Sequence, residues 1–121
     1  MPVQKINKQA LDKIVAGKVK EPATCIIKFY SNGCDMCHNL QPYYQAIADE
    51  DQYDDLHFFA FNVDDYPPIE KMLGFNGVPT IFLLKVGIPR RRMRMLTDPE
   101  EPHKATWYSS KYIKEFIDRE R

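Results

Sequence analysis

Two hydrophobic periods alternate along the chain. Short, nearly continuous apolar runs at residues 23–30, 56–63 and 80–86 read as strands, the middle one apolar on both faces as a central strand should be. Around them the apolar positions fall at helical spacing. Residues 8–15 predict a short amphipathic helix with Leu11, Ile14 and Val15 turned inward. Residues 38–49 predict a longer one, in which Pro42 removes a backbone bond and favours a kink. Pro67 and Pro68 open a brief helix through Leu73 that Gly74 stops, and residues 108–119 predict a last helix with Tyr112, Ile113, Phe116 and Ile117 on one face. Residues 3–6 predict a short first strand, and residues 92–96 fold back on 80–86 through Gly87 and Pro89 as an antiparallel hairpin. Gly17 and Pro22 bracket a loop. The order β-α-β-α-β-α-β-β-α, without repeats, predicts one α/β domain over residues 1–121 with a mixed sheet.

Composition changes this picture little. Apolar residues make up 44% of the 121, enough for a core that needs neither disulfide staples nor a structural metal. Seventeen basic and 17 acidic residues cancel, so no global field recruits nucleic acid or an anionic membrane surface. No apolar stretch approaches a membrane span, and residues 1–9 lack the hydrophobic centre of a secretory signal. The three cysteines leave one obvious pair, with Cys25 inside an apolar strand as a small core residue. That usage suits a reducing, cytoplasmic setting.

Chemistry concentrates in Cys34-Asp35-Met36-Cys37. These residues lie where the strand ending at Tyr30 hands over to a helix, whose free N–H groups and positive dipole end favour a thiolate. Far downstream, Gly77-Val78-Pro79-Thr80 leads into the next apolar strand. A zinc site is the main rival reading, but zinc usually takes four ligands. The remaining candidates, Cys25, His38, His57 and His103, supply no second Cys-x-x-Cys or His-x-x-x-His, so no metal is expected. An inert structural disulfide is the other bland reading. Reversible dithiol–disulfide exchange is preferred to both.

With both motifs in place, residues 3–119 resemble the thioredoxin family: strand, Cys-x-x-Cys, proline-bearing helix, strand, Val-Pro-Thr, hairpin and final helix come in that family's order. The resemblance implies a thioredoxin fold, with a central mixed sheet of four to five strands flanked by helices on both faces. It also implies a cis peptide at Val78–Pro79. Cys34, first at the helix start and the more exposed, is expected to attack a client disulfide, with a pKa below the free value of about 8.5. Cys37, one turn on and more buried, then attacks Cys34 and releases the client, leaving a Cys34–Cys37 disulfide. The Val78 backbone would pair with an extended client strand. Pro79 would pack near the sulfurs and keep metal ions from them, and Gly33, Met36 and Gly77 would complete the contact surface.

The sequence departs from that family's usual Trp-Cys-Gly-Pro-Cys. Gly33 replaces the tryptophan and lets partners approach more closely; Met36 replaces the proline with a flexible apolar contact. Asp35 puts a negative charge beside both sulfurs, which opposes the helix dipole. Lys28 stands six residues before Cys34, where the family usually carries a buried aspartate that assists the second cysteine, and the lysine that often accompanies it falls near Ala60. Lys28 is therefore expected to tune Cys37, either as a cation favouring the thiolate or, desolvated, as a base; alternatively its amine snorkels to solvent. Arg90, Arg91, Arg92 and Arg94 are read as guarding an edge strand against pairing, or as a site for an acidic partner. The acidic run at Asp49, Glu50, Asp51, Asp54 and Asp55 reads as a solvated helix end and loop. Residues 97–110 exceed the usual connection, and either extend a partner surface or cover the core.

The function expected from the resemblance is a small, monomeric protein-disulfide reductase without a bound cofactor. Clients such as ribonucleotide reductase or peroxide-reducing enzymes, and recharging by a thioredoxin reductase, are what the family implies. Glutaredoxin-like and disulfide-isomerase-like exchange, and a non-catalytic binding module of the same fold, are the alternatives.

Overall fold

The structure, a computed structural model describing residues 3–121, runs β1 (Gln4–Lys5), α1 (Lys8–Val15), β2 (Ala23–Tyr30), α2 (Asp35–Ala48), β3 (His57–Asn62), α3 (Ile69–Leu73), β4 (Thr80–Val86), β5 (Arg92–Met95) and α4 (Ser110–Glu120). Single 3-10 turns sit at Asp51–Tyr53 and Val63–Asp65. The strands form one mixed sheet in the order β1-β3-β2-β4-β5. Parallel pairing joins β1 to β3 and β3 to β2; antiparallel pairing joins β2 to β4 and β4 to β5. Among the described residues no helix is long and apolar enough to cross a membrane.

Successive side chains of a strand point to opposite faces, and here that alternation builds two cores. Ile26, Phe58, Ile81 and Leu83 face α2 and α4, where they pack with Leu40, Tyr44, Ile47, Ile113, Phe116 and Ile117. Cys25, Ile27, Phe29, Phe61, Phe82, Leu84 and Val86 face α1 and α3, with Leu11 and Ile69. Each such side chain contributes about 1.5–3 kcal/mol by leaving water, so both faces hold the sheet and register is strongly specified. The same parity decides where Lys28 goes: two residues beyond Ile26, it points under α2.

Several boundaries differ from the sequence expectation for local reasons. Helix α2 begins at Asp35 rather than residue 38, because Cys34 caps it: the Cys37 N–H donates to Cys34 Sγ at 3.1 Å. Ser109 caps α4 by accepting from the Tyr112 N–H, so that helix starts at Ser110; Tyr108 before it is buried, while Tyr112 is only partly covered. Strand β1 keeps only Gln4 and Lys5. The arginines divide. Arg90 and Arg91 lie in the hairpin connection, whereas Arg92 and Arg94 on edge strand β5 reach the Glu120 carboxylate of α4 at 2.6 and 3.8 Å. The edge is thus tied to the last helix as well as charged. Gly74 ends α3 in the left-handed conformation at φ 78°, as its place in the sequence predicts.

Candidate functional site

The strand-to-helix corner after β2 carries the two cysteines, and four polar residues hold it still. The Asn32 N–H donates to Asp64 Oδ2 at 2.9 Å, and Asn62 Nδ2 donates to Asn32 Oδ1 at 2.8 Å. Thus the end of β3 anchors the corner from outside it. His38 Nε2 lies 2.8 Å from the Asn32 carbonyl, closing the loop from the helix side. Cys34 and Cys37 are joined as a disulfide with their Cα atoms 5.2 Å apart. Cys34 is partly exposed and Cys37 is buried. Cys34 Sγ can therefore be approached from solvent and Cys37 Sγ cannot. The Cys37 N–H aimed at Cys34 Sγ is an orphan donor of the helix start, and it favours negative charge on that sulfur once the bond is reduced.

Opposite the sulfurs stands the Gly77–Thr80 segment, with a cis peptide between Val78 and Pro79. The Val78 carbonyl lies 3.8 Å from Cys34 Sγ, and Pro79 is buried behind it. Neighbouring groups are spoken for: the Gly77 N–H donates to Glu70 Oε2 at 3.0 Å, and Thr80 Oγ1 donates to the Gly77 carbonyl at 2.7 Å. Among the described residues the Val78 N–H has no partner.

The family model for thioredoxin matches residues 2–101. The chain belongs to the thioredoxin family. It is 29% identical over 76 residues to the thioredoxin of Acidithiobacillus ferridurans, covering 63% of this chain and 69% of that one. To the thioredoxin of Mycoplasma genitalium it is 31% identical over 67 residues, covering 55% and 64%. Across the whole fold it superimposes on the crystal structure of Malassezia sympodialis thioredoxin with a TM-score of 0.70 at 21% identity, covering 98% and 93% of the two chains. Family membership and the paired cysteines give this thioredoxin relative the chemistry of a thiol–disulfide oxidoreductase. The described residues gather no group of three or more His, Cys, Asp or Glu side chains that would hold a metal ion.

Lys28 lies beneath the active-site helix and is 3% exposed. Its Nζ sits 5.1 Å from the centre of the Tyr44 ring and 5.7 Å from that of Tyr30. Tyr44 is itself pinned, donating its hydroxyl to the Phe59 carbonyl at 2.8 Å. No carboxylate among the described residues pairs with the amine. Burial, aided by the nearby Lys5 charge, pulls the Lys28 pKa from 10.5 down to about 8. A cavity of about 120 Å³ beside it is lined by both Lys28 and Cys37, with Lys5, Gln41 and Gln45 around the rest. That volume is roomy enough for water between amine and thiol.

The other expected site residues fall as follows. Gly33 is exposed at the corner, and Met36 lines the cleft in front of Val78 and Pro79. Asp35 is exposed in the first turn of α2, directly after Cys34. Cys25 is remote on the α1–α3 face, and burial pushes its thiol up to about 11. Asn32, Asn62, Asp64 and His38 were not singled out by sequence reasoning as positioning residues. The only signal for them was the concentration of Asn and Asp at two strand ends, a pattern common to turns generally.

Proposed function

We propose that this protein reduces disulfides in client proteins, with Cys34 as nucleophile and Cys37 as resolving thiol. The observation that carries the proposal is the asymmetry of the pair: a reachable sulfur with a helix N–H on it, and a buried one behind. In the reduced protein the Cys34 thiolate attacks one client sulfur, the client S–S bond breaks, and the leaving client thiolate takes a proton from solvent. Cys37 then gives up its proton and attacks Cys34 Sγ in the mixed disulfide. The client departs as a dithiol and the Cys34–Cys37 bond forms, two electrons having passed to the client. Lys28 assists the second step. As an ammonium it stabilises the Cys37 thiolate across the cavity; as the neutral amine, available near its lowered pKa, it accepts the proton through water. A thioredoxin-reductase-type flavoprotein in a reducing, cytoplasmic environment would return the electrons.

Turnover of an insulin-type disulfide by the reduced protein tests this reading. Cys34→Ser should abolish reduction, and Cys37→Ser should accumulate a one-to-one mixed disulfide with client protein that dithiothreitol releases. Absence of turnover in the wild-type protein, or trapping by Cys34→Ser instead, overturns the assignment.

A further inference from the structure

Where the match to the family model ends, at residue 101, the chain is part-way through a feature the exchange chemistry does not use. Between β5 and α4, residues 97–109 carry a tryptophan in the left-handed region, Trp107 at φ 65°. A bulky side chain there costs about 1–2 kcal/mol and persists only where the surroundings impose it. They do so here. His103 and Trp107 exchange backbone hydrogen bonds of 3.0 and 2.9 Å, the Tyr108 N–H donates to the Thr106 carbonyl at 2.7 Å, and Asn39 of α2 donates to the Ala105 carbonyl at 2.9 Å. Tyr108 is sunk in the core, and Trp107, partly buried, packs against the same core with part of its side chain. The strained turn leaves the rest of the indole at the mouth of the active site. There it lines a cleft of about 250 Å³ together with Met36, Gly77, Val78, Pro79 and Asp98.

We propose that this segment adds a cation-accepting subsite to the client cleft, and that Trp107 and Asp98 select client strands bearing Arg or Lys next to the disulfide cysteine. The proposal rests on the reading that clients dock along Val78. Its chemistry follows from the lining. Asp98 is the one charged side chain on that cleft, and Asp35 lies exposed on the neighbouring first turn of α2. The indole N–H donates to Asp98 Oδ1 at 3.0 Å, which fixes the ring and leaves the other carboxylate oxygen for a ligand. An aromatic face, a carboxylate and the Met36 thioether together suit a guanidinium or ammonium on an aliphatic stem. The missing tryptophan before Cys34 leaves this second wall as the aromatic contact at the mouth. An ordered indole also spares a client the cost of organising it.

Peptides whose single cysteine is joined to a chromogenic thiol in a mixed disulfide, with that thiol as leaving group, supply the test. Arg, Leu or Glu is placed on each side of the cysteine in turn, and the second-order rate of attack by the reduced full chain is read from the released chromophore. Each rate is divided by the same variant's rate with hydroxyethyl disulfide, which reaches no further than the sulfurs. In the wild type, one placement of Arg should react about tenfold faster than Glu and faster than Leu, with the gap narrowing as salt rises. Trp107→Gly, which keeps the left-handed backbone and removes the indole, should erase most of the Arg advantage. Asp98→Asn, which keeps an acceptor for neighbouring N–H groups and removes the charge, should bring Arg down to the Leu rate. Equal wild-type rates for the three peptides, or an equal slowing of all three in Trp107→Gly, overturns the subsite. Failure to reduce hydroxyethyl disulfide at all would instead overturn the exchange function on which it rests.

Discussion

Replacing Lys28 by methionine tests how a buried amine lives under this active site. Methionine keeps an unbranched stem against Tyr30 and Tyr44 and removes the charge. At pH 7 wild-type Lys28 is mostly protonated in both folded and unfolded chains, so the fold carries its whole desolvation cost. The fall in pKa from 10.5 to about 8 sets that cost at about 3 kcal/mol, at about 1.4 kcal/mol per pH unit. That figure is net of whatever the two ring faces give back to the ammonium. Lys28→Met should therefore be about 3 kcal/mol more stable than wild type at pH 7. The sign of the pH dependence is fixed by linkage: between pH 8 and 10.5 the unfolded chain binds more protons at this site than the folded one, so wild-type stability rises with pH there. From pH 7 to 9.5 the wild type should gain about 2 kcal/mol relative to the variant, and the gap between them should narrow to about 1 kcal/mol.

Urea unfolding of both oxidised proteins at pH 7, 8.5 and 9.5 measures this directly. In that form Cys34 and Cys37 do not titrate, and the relative midpoints should move by about 1 M across the range. A gap that stays constant from pH 7 to 9.5 would refute the burial argument and place the amine in contact with solvent. Titration of the Cys37 thiol in the reduced proteins gives the functional half. The Cys37 pKa should rise in Lys28→Met, and superimposable curves would remove the lysine from the resolving step.

Two further outcomes follow from the packing. A β-carbon on Gly87, whose φ is 74°, would meet the Glu21 carbonyl and Pro22 Cα at 2.8 Å, while one on Gly17 at φ 73° meets nothing within 4 Å. Gly87→Ala should therefore lose about 2–4 kcal/mol in urea unfolding against about 1 for Gly17→Ala; equal losses would mean that the backbone at Pro22 yields freely. Cys25, buried with its thiol pushed up to about 11, should stay silent when the reduced native protein is treated with a thiol reagent at pH 8. With a chromogenic disulfide as the reagent, two equivalents of leaving thiol should be released at once, the second as Cys37 attacks the adduct on Cys34, and the third only in denaturant, whereas three fast equivalents would show that the α1–α3 face opens.

What could be read from the chain follows the range of the interactions involved. The strands were legible because their patterning is local: Cys25, Ile27 and Phe29 against Ile26 and Lys28 is one alternation repeated in β3 and β4. The dithiol was legible because its chemistry sits in four consecutive residues. The apolar pattern of α2 was legible only from residue 38, although the thiols were placed at its start, since its cap is a cysteine sulfur rather than one of the hydroxyl, amide or carboxylate side chains that normally announce a helix. Residues 97–110 were opaque for a different reason. Their conformation is imposed by Asn39, by a bridge across the loop and by a buried tyrosine, and nothing in the local pattern predicts a left-handed tryptophan.

Lys28 stands between these cases: its address was legible, but not its surroundings. Parity with Ile26 sends it beneath α2, yet apart from Tyr30 in its own strand, the Tyr44 ring, the Lys5 charge and the shared cavity depend on residues distant in sequence. That placement reverses the electrostatics the family's aspartate would impose. A buried carboxylate accepts a proton while ionised, so before transfer its charge opposes the thiolate it is to help create. A buried amine accepts a proton while neutral and ends as a cation beside the new thiolate, an attraction that low local polarity strengthens. The resolving step here should therefore gain from the charge state it produces, which is why the Cys37 titration, and not stability alone, decides what this lysine is for.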